Sequence, residues 1–340
     1  MKAYIKYISS YLPEAILSNE DLAKHNIEWS VEKIEEKTGI KKRHIIAKDE
    51  MVSDMAIASA NPIFTREIAK KSDIDYILLC TQSPDYLLPT TACIVQNKLG
   101  LDNTCGALDF NLGCSGYIYG LSLAKGLIES GQAKNILLIT SECYSRYIHK
   151  GDKSVRSLFG DGATSTLICT SDKDELFIDS MIFGTDGSGS GNLIVPHGGS
   201  CNPIHDSSLI ESTDQNGNTR ALNNLYMNGP EILVFTLKIL PKLLKDILKK
   251  DDLLIEDIDY FVLHQANKFI LSQLQRLLKI PNEKFLTSFE EFGNTVSSTI
   301  PLGLLKDCNR FNSGDKIVLM GFGVGYSWAG CVVTWHDNFV

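Results

Sequence analysis

Long apolar runs are missing from this sequence, and with them any span of roughly 20 residues that would cross a bilayer as a helix. The longest apolar region, Ile317 to Val333, is broken by Gly321, Gly323, Gly325 and Gly330, and reads as two buried strands around a glycine turn. The opening residues MKAYIKYISSYLPE lack the apolar centre of a secretion signal. No Cys-x-x-Cys pair occurs, and the nine cysteines are odd in number and scattered. That pattern fits reduced thiols and a cytoplasmic setting, not a disulfide framework. Concentrated basic charge is absent too. At a net charge of −8 nothing supplies the counterion-displacing face that nucleic acids require. The phosphate-loop pattern GxxxxGK[ST] does not occur.

What the chain does have is repetition. Asp73-Ile74-Asp75-Tyr76-Ile77-Leu78-Leu79 resembles Asp257-Ile258-Asp259-Tyr260-Phe261-Val262-Leu263. Asn135-Ile136-Leu137-Leu138 and Lys316-Ile317-Val318-Leu319 repeat in the same order at nearly the same offset, which suggests a duplicated fold. Short apolar runs at Tyr76–Cys80, Ala107–Phe110 and Asn135–Thr140 read as buried parallel strands, with a helix over Tyr117–Ser130. The later copy is expected to place strands at Tyr260–Leu263, Lys284–Thr287 and Lys316–Met320, and helices at Lys268–Leu278 and Ser297–Asn309. Alternating strands and helices imply an α/β fold with sheets covered on both faces. Gly184–Gly217, rich in Gly, Ser, Asn and Asp, reads as a long loop. Leu233–Lys250 reads as an amphipathic helix, either packed on the core or lying on a membrane surface.

Five stations offer chemistry. In Asp109-Phe110-Asn111-Leu112-Gly113-Cys114-Ser115-Gly116 a strand runs into a helix with Cys114 at the junction. A helix N-terminus there would lower the thiol pKa and favour a nucleophilic thiolate; an inert buried cysteine at a tight turn fits the same residues. His264, in Leu263-His264-Gln265-Ala266-Asn267, follows a parallel strand and would face the ligand crevice of such sheets, or it is structural. Gly293-Asn294-Thr295 lies at another strand-to-helix junction, as a helix cap or as a partner to the Cys114 loop. Gly321-Phe322-Gly323-Val324-Gly325 could present backbone N–H groups to an oxyanion. His197-x3-Cys201-x3-His205 has metal-ligating residue types but no evident fourth ligand.

Together with Ser10-Tyr11-Leu12-Pro13, Thr38-Gly39-Ile40-Lys41-Lys42-Arg43-His44-Ile45 and Phe159-Gly160-Asp161-Gly162-Ala163, the first four of these motifs resemble, in order along nearly the whole chain, the β-ketoacyl-acyl-carrier-protein synthase III family of the thiolase superfamily. The resemblance implies a thiolase-like fold: two duplicated βαβαβαββ halves in five α-β-α-β-α layers. Residues 1–180 would carry the nucleophilic cysteine, and 181–340 the histidine and asparagine. It also implies that Cys114 takes an acyl group from a thioester such as an acyl-coenzyme A. A malonyl thioester on an acyl carrier protein would then lose carbon dioxide while His264 and Asn294 donate hydrogen bonds to its enolate. The backbone N–H groups of Cys114 and Val324 would form the oxyanion hole. Leu88, Phe322, Met227, Gly229, Asn267, Lys37 and Lys153 are the implied substrate contacts, with a homodimer as the assembly and no cofactor beyond the thioester substrates.

The chain also departs from that pattern. Lys33 stands where a coenzyme-stacking tryptophan is usual, Lys37 and Lys153 where arginines are, Pro230 where asparagine is, and Phe269 where a carrier-docking arginine is. Leu88 replaces a phenylalanine that reaches across the dimer. Lysine reproduces neither stacking nor bidentate phosphate contacts. These changes suggest a specialised homologue, in secondary metabolism or glycan decoration. Two rival readings are non-decarboxylative acyl transfer to oxygen or nitrogen, and a non-catalytic subunit that binds acyl carriers.

Overall fold

A computed structural model describes residues 1–24, 29–171 and 178–336. The apolar runs form strands β1 (Lys2–Tyr11), β2 (Tyr76–Cys80), β3 (Gly106–Phe110), β4 (Asn135–Glu142) and β5 (Gly162–Ser171), arranged β1-β5-β4-β2-β3. A second sheet comprises β6 (Ile182–Thr185), β7 (Tyr260–Leu263), β8 (Phe285–Leu286), β9 (Lys316–Gly323) and β10 (Ser327–Thr334), arranged β6-β10-β9-β7-β8. The pairing is the same in both. β2 is parallel to β3 and β4, as β7 is to β8 and β9, and the remaining ladders are antiparallel. The repeated motifs therefore mark the central parallel strand and its neighbour in each sheet.

Side-chain alternation along the strands separates the layers. Ile77 and Leu79 of β2 face one cluster, with Ala56, Ile63 and Val95 from helices α1 (Val52–Thr65) and α2 (Thr91–Leu99). Leu78 faces the opposite way, into a central cluster with Ile118, Leu121, Ile300 and Leu319. That middle layer holds α3 (Gly116–Glu129) and α6 (Thr299–Asp307) between the sheets. On the far side of the second sheet, α4 (Gly229–Lys250) and α5 (Lys268–Leu278) pack on Phe261, Leu263, Val318 and Met320. The result is the expected five-layered thiolase-like arrangement. No described helix is long and apolar enough to cross a membrane.

Three expectations shift in detail. Helix α4 starts at Gly229, four residues before Leu233, because Asn228 Oδ1 caps the N–H of Glu231 and Pro230 sits in the first turn, where its missing N–H costs nothing. Packing of Leu240, Leu243, Leu244 and Ile247 against the second sheet answers the choice of environment for its apolar face. The stretch read as a loop from Gly184 begins inside β6, at the edge of the second sheet. Gly184 obscured that strand: a Cβ there would lie 2.0 Å from the Trp328 indole, so glycine is a packing requirement and not a loop signal. The helix expected from Ser297 starts at Thr299, after a single turn at Val296–Ser298.

Candidate active site

Strand β3 ends at Phe110, and after five intervening residues α3 begins at Gly116, with Cys114 buried just before its first turn. The glycines around it are set by close approach. A Cβ on Gly116 would meet Cys80 Sγ at 2.3 Å. On β9, a Cβ at Gly321 would lie 2.7 Å from the Cys114 carbonyl oxygen, and one at Gly323 would lie 3.0 Å from Cys114 Sγ. The Cys114 loop therefore rests directly on the backbone of the second sheet. Ser115 Oγ and Ser327 Oγ, 2.7 Å apart, join the two across that contact. Backbone N–H groups of Cys114 and Val324 are directed at the sulfur.

His264 follows β7, and its N–H donates to Met320 O at 2.8 Å. Its ring Nδ1 lies 2.7 Å from Thr299 Oγ1, and that hydroxyl donates its one hydrogen to Val296 O at 3.0 Å. Thr299 Oγ1 must then accept from Nδ1–H, which leaves Nε2 of the neutral ring as a lone pair. Asn294 is anchored from both sides: its N–H donates to Leu158 O, its carbonyl accepts from Gly160, and its Oδ1 accepts from the N–H of Val296 at 2.9 Å. With Oδ1 so engaged, the NH2 group remains to serve as donor. Val296 links the two side chains through one residue and holds φ at +56°, the left-handed region that β-branched residues avoid.

The electrostatics differ from the sequence expectation. The start of a helix favours a thiolate, but burial dominates and pushes the Cys114 thiol up to about 12, with the Glu142 carboxylate as the second cause; the N–H groups of Cys114 and Val324 oppose the shift. The resting sulfur is therefore a neutral thiol and not a standing thiolate. Burial also lowers His264 to about 3, so the imidazole is neutral as well. Glu142, at the end of β4, is raised by burial to about 8 although it accepts from Gln82 N, Ser83 Oγ and Ser297 Oγ. Below about pH 8 it is a neutral acid; above, its charge raises the thiol further. Alkylation of Cys114 by iodoacetamide should accordingly climb about tenfold per pH unit from pH 6 to 8, with no plateau inside that range, and flatten just above 8 as Glu142 ionises. Glu142→Gln should restore the steep slope above pH 8. A plateau near pH 7 in stopped-time mass spectra would contradict this assignment.

Cys114, His264 and Asn294 line one cavity of about 930 Å³, together with Lys37, Met227, Gly229, Asn267 and Phe322. Asn267 has a second task, capping α5 by accepting from Ile270 N–H. Leu88 and Lys153 do not line it. Leu88 is 86% exposed, and Lys153 points toward Gly217. Val324 lends its N–H to the sulfur while its residue borders a second cavity. At the mouth the structure places an indole that the sequence reading passed over: Trp29, with Lys37 Nζ 5.3 Å from its ring centre. Attention to position 33 hid it, although an aromatic four residues before Lys33 is the available signal. Glu142, Thr299 and the Val296 backbone were also missed, being ordinary residue types until the fold assembles them. His197 Nδ1 lies 2.9 Å from Ser208 Oγ, and among the described residues no three His, Cys, Asp or Glu side chains converge to hold a metal.

Residues 108–187 match the family model for 3-oxoacyl-[acyl-carrier-protein] synthase III, and residues 248–335 match the model of its C-terminal region. A β-ketoacyl-[acyl-carrier-protein] synthase III of Clostridium perfringens is 37% identical over 325 residues, covering 95% of this chain and 96% of that protein. A crystal structure of a 3-oxoacyl-(acyl-carrier-protein) synthase III superposes with a TM-score of 0.97 at 46% identity, over 98% of this chain and 100% of that one. The priming β-ketosynthase of the R1128 polyketide pathway superposes with a TM-score of 0.84 at 26% identity, over 99% of this chain and 97% of that one.

Proposed function

The chain belongs to the β-ketoacyl-acyl-carrier-protein synthase III family and is an acyltransferase, and on that premise we propose how its own residues divide the work. One observation carries the proposal: a thiol, an imidazole and a carboxamide brought by three separate loops open into a single cavity. In the first half-reaction Cys114 Sγ attacks the carbonyl carbon of an acyl thioester, of coenzyme A or a carrier protein. The resting thiol is too basic to ionise unaided, so its proton passes to His264 Nε2 as the bond forms. The N–H groups of Cys114 and Val324 hold the oxyanion. As the intermediate collapses, His264 returns the proton to the departing sulfur, leaving acyl-Cys114 and a free thiol.

In the second half-reaction a malonyl thioester on an acyl carrier protein enters by the same mouth. Loss of carbon dioxide leaves an electron pair that delocalises onto the thioester oxygen. Asn294, with its Oδ1 already bonded to Val296, presents N–H donors to that oxygen. The resemblance assigns His264 a donor role here too; in the tautomer that Thr299 dictates, Nε2 donates only once it carries a proton. The carbanion carbon attacks acyl-Cys114, and expulsion of the sulfur gives the β-ketoacyl thioester. The thioester supplies the activated carbonyl and decarboxylation drives the condensation, so the chemistry calls on no metal, nicotinamide or flavin.

Trp29 takes the stacking role at the mouth in place of position 33, with Lys33, Lys37 and Arg276 near the donor's phosphates. The ridge of Tyr86, Leu87 and Leu88, 61%, 89% and 86% exposed, is the contact for a homodimer, with Leu88 entering the partner's acyl cavity. Malonyl carrier protein labelled in its free carboxylate, added to the acylated enzyme, should release labelled carbon dioxide in step with β-ketoacyl product. Product formed with the label retained would overturn the decarboxylative assignment.

A further inference from the structure

A second cavity of about 720 Å³ lies beside the first. Leu193 borders both, and Val324, whose N–H faces the Cys114 sulfur, lines the second. Chemistry in two half-reactions needs such a space. While the malonyl arm fills the entrance, the acyl group already on Cys114 must lie elsewhere. Its lining sets aliphatic side chains, Ile194, Val195, Ile204 and Leu225 among them, beside the polar group of Gln82, Asn111, Tyr144 and Tyr147.

These side chains are ordered by one another. Tyr144 Oη donates to Gln82 Oε1, Gln82 Nε2 donates to Asn111 Oδ1 at 2.8 Å, and Tyr147 Oη donates to the Gln82 carbonyl at 3.2 Å. The Gln82 amide is thereby fixed next to the nucleophile: its Oε1 would lie 2.6 Å from a Cβ on Gly113. Tyr144 packs at a tilt of 43° against Phe159, which lines the first cavity, with ring centres 5.2 Å apart. Gln82 Nε2 retains a second hydrogen, and the Tyr144 oxygen retains a lone pair, within the reach of the first few carbons of a Cys114-bound acyl group. Arg146, the one cation in the lining, directs its guanidinium to the carbonyls of Ala47, Lys48 and Glu50. The polar groups nearest the Cys114 loop, Gln82, Asn111 and Tyr144, carry no charge.

We infer that this cavity receives the acyl group of Cys114 and selects acyl groups bearing a hydroxyl or another neutral hydrogen-bonding substituent close to the thioester carbonyl, over plain alkyl chains of equal length. The inference rests on the reading of Cys114 as the acyl carrier. An alkyl chain laid against the Gln82–Tyr144 pair displaces water from groups it cannot satisfy, whereas a hydroxyl replaces that water.

The test pairs butyryl with each enantiomer of 3-hydroxybutyryl, presented both as coenzyme A thioesters and on the phosphopantetheine of an acyl carrier protein. The rate of adduct formation on the intact protein is read by mass spectrometry. Wild type should form one hydroxybutyryl adduct at least about tenfold faster than the butyryl adduct at subsaturating donor. Gln82→Leu and Tyr144→Phe should shrink that ratio to about twofold, with butyryl transfer retained. Equal rates in wild type, or faster butyryl transfer, would overturn the selectivity while leaving Cys114 as carrier. A preference undiminished in both variants would overturn the assignment to this pair. Absence of any adduct from every donor would remove the underlying reading along with the inference.

Discussion

Replacing Cys114 by alanine should abolish the acyl adduct and lower condensation by on the order of 10⁴-fold or more, the scale on which removal of a covalent nucleophile is felt. No neighbour is placed to substitute. Cys80, whose sulfur packs against Gly116 and lies 3.0 Å from Leu112 O, is fully buried and is pushed far from ionisation by that burial and by Glu142. Alanine fits the same small space under Gly323, so the fold should survive the change. Intact-mass measurement after incubation with acyl thioesters checks this, and an equal adduct on wild type and Cys114→Ala would remove the nucleophile from the mechanism.

Asn294→Ala should separate the two half-reactions. The carboxamide touches the chemistry when the enolate forms, so carbon dioxide release from the malonyl carrier should fall about 10²- to 10³-fold, as when one preorganised donor is lost. Acylation of Cys114 should stay near the wild-type rate, because the proton relay through His264 and the N–H groups of Cys114 and Val324 remain. Asn294→Asp should be worse still for decarboxylation, since a carboxylate would face developing negative charge. Single-turnover acylation alongside labelled carbon dioxide release gives both numbers. A matching loss in acylation would assign Asn294 to both halves of the reaction.

The sequence carried the architecture where apolar pattern and burial coincide. Tyr260–Leu263 and Lys268–Leu278 were legible to the residue because a four-residue apolar run and a capped 3.6-residue period leave little choice. Strand β6 was not, because its glycine answers to an indole more than 140 residues away. In the site, Cys114 and His264 could be singled out because each follows a strand, whereas Asn294, expected at a strand-to-helix junction, follows the short helix Phe289–Phe292 and was marked by its turn-forming neighbours alone. Their protonation could not be read. The helix start that favours a thiolate is a local feature, whereas the burial and the Glu142 carboxyl that outweigh it arise from packing. The tautomer of His264 likewise depends on Thr299, 35 positions along the chain, and on a carbonyl turned by the unusual backbone of Val296.

The glycines of β9 have a consequence beyond making room. Because the Cys114 loop is carried by one sheet and seated on bare backbone of the other, the distance from sulfur to imidazole and carboxamide is set by how the sheets dock. Turnover in this enzyme is thus a sensitive gauge of alignment. Loosening the seam by about 1 Å would cost on the order of 10²-fold in turnover while every strand and helix on either side kept its shape, so loss of activity on warming should run ahead of melting.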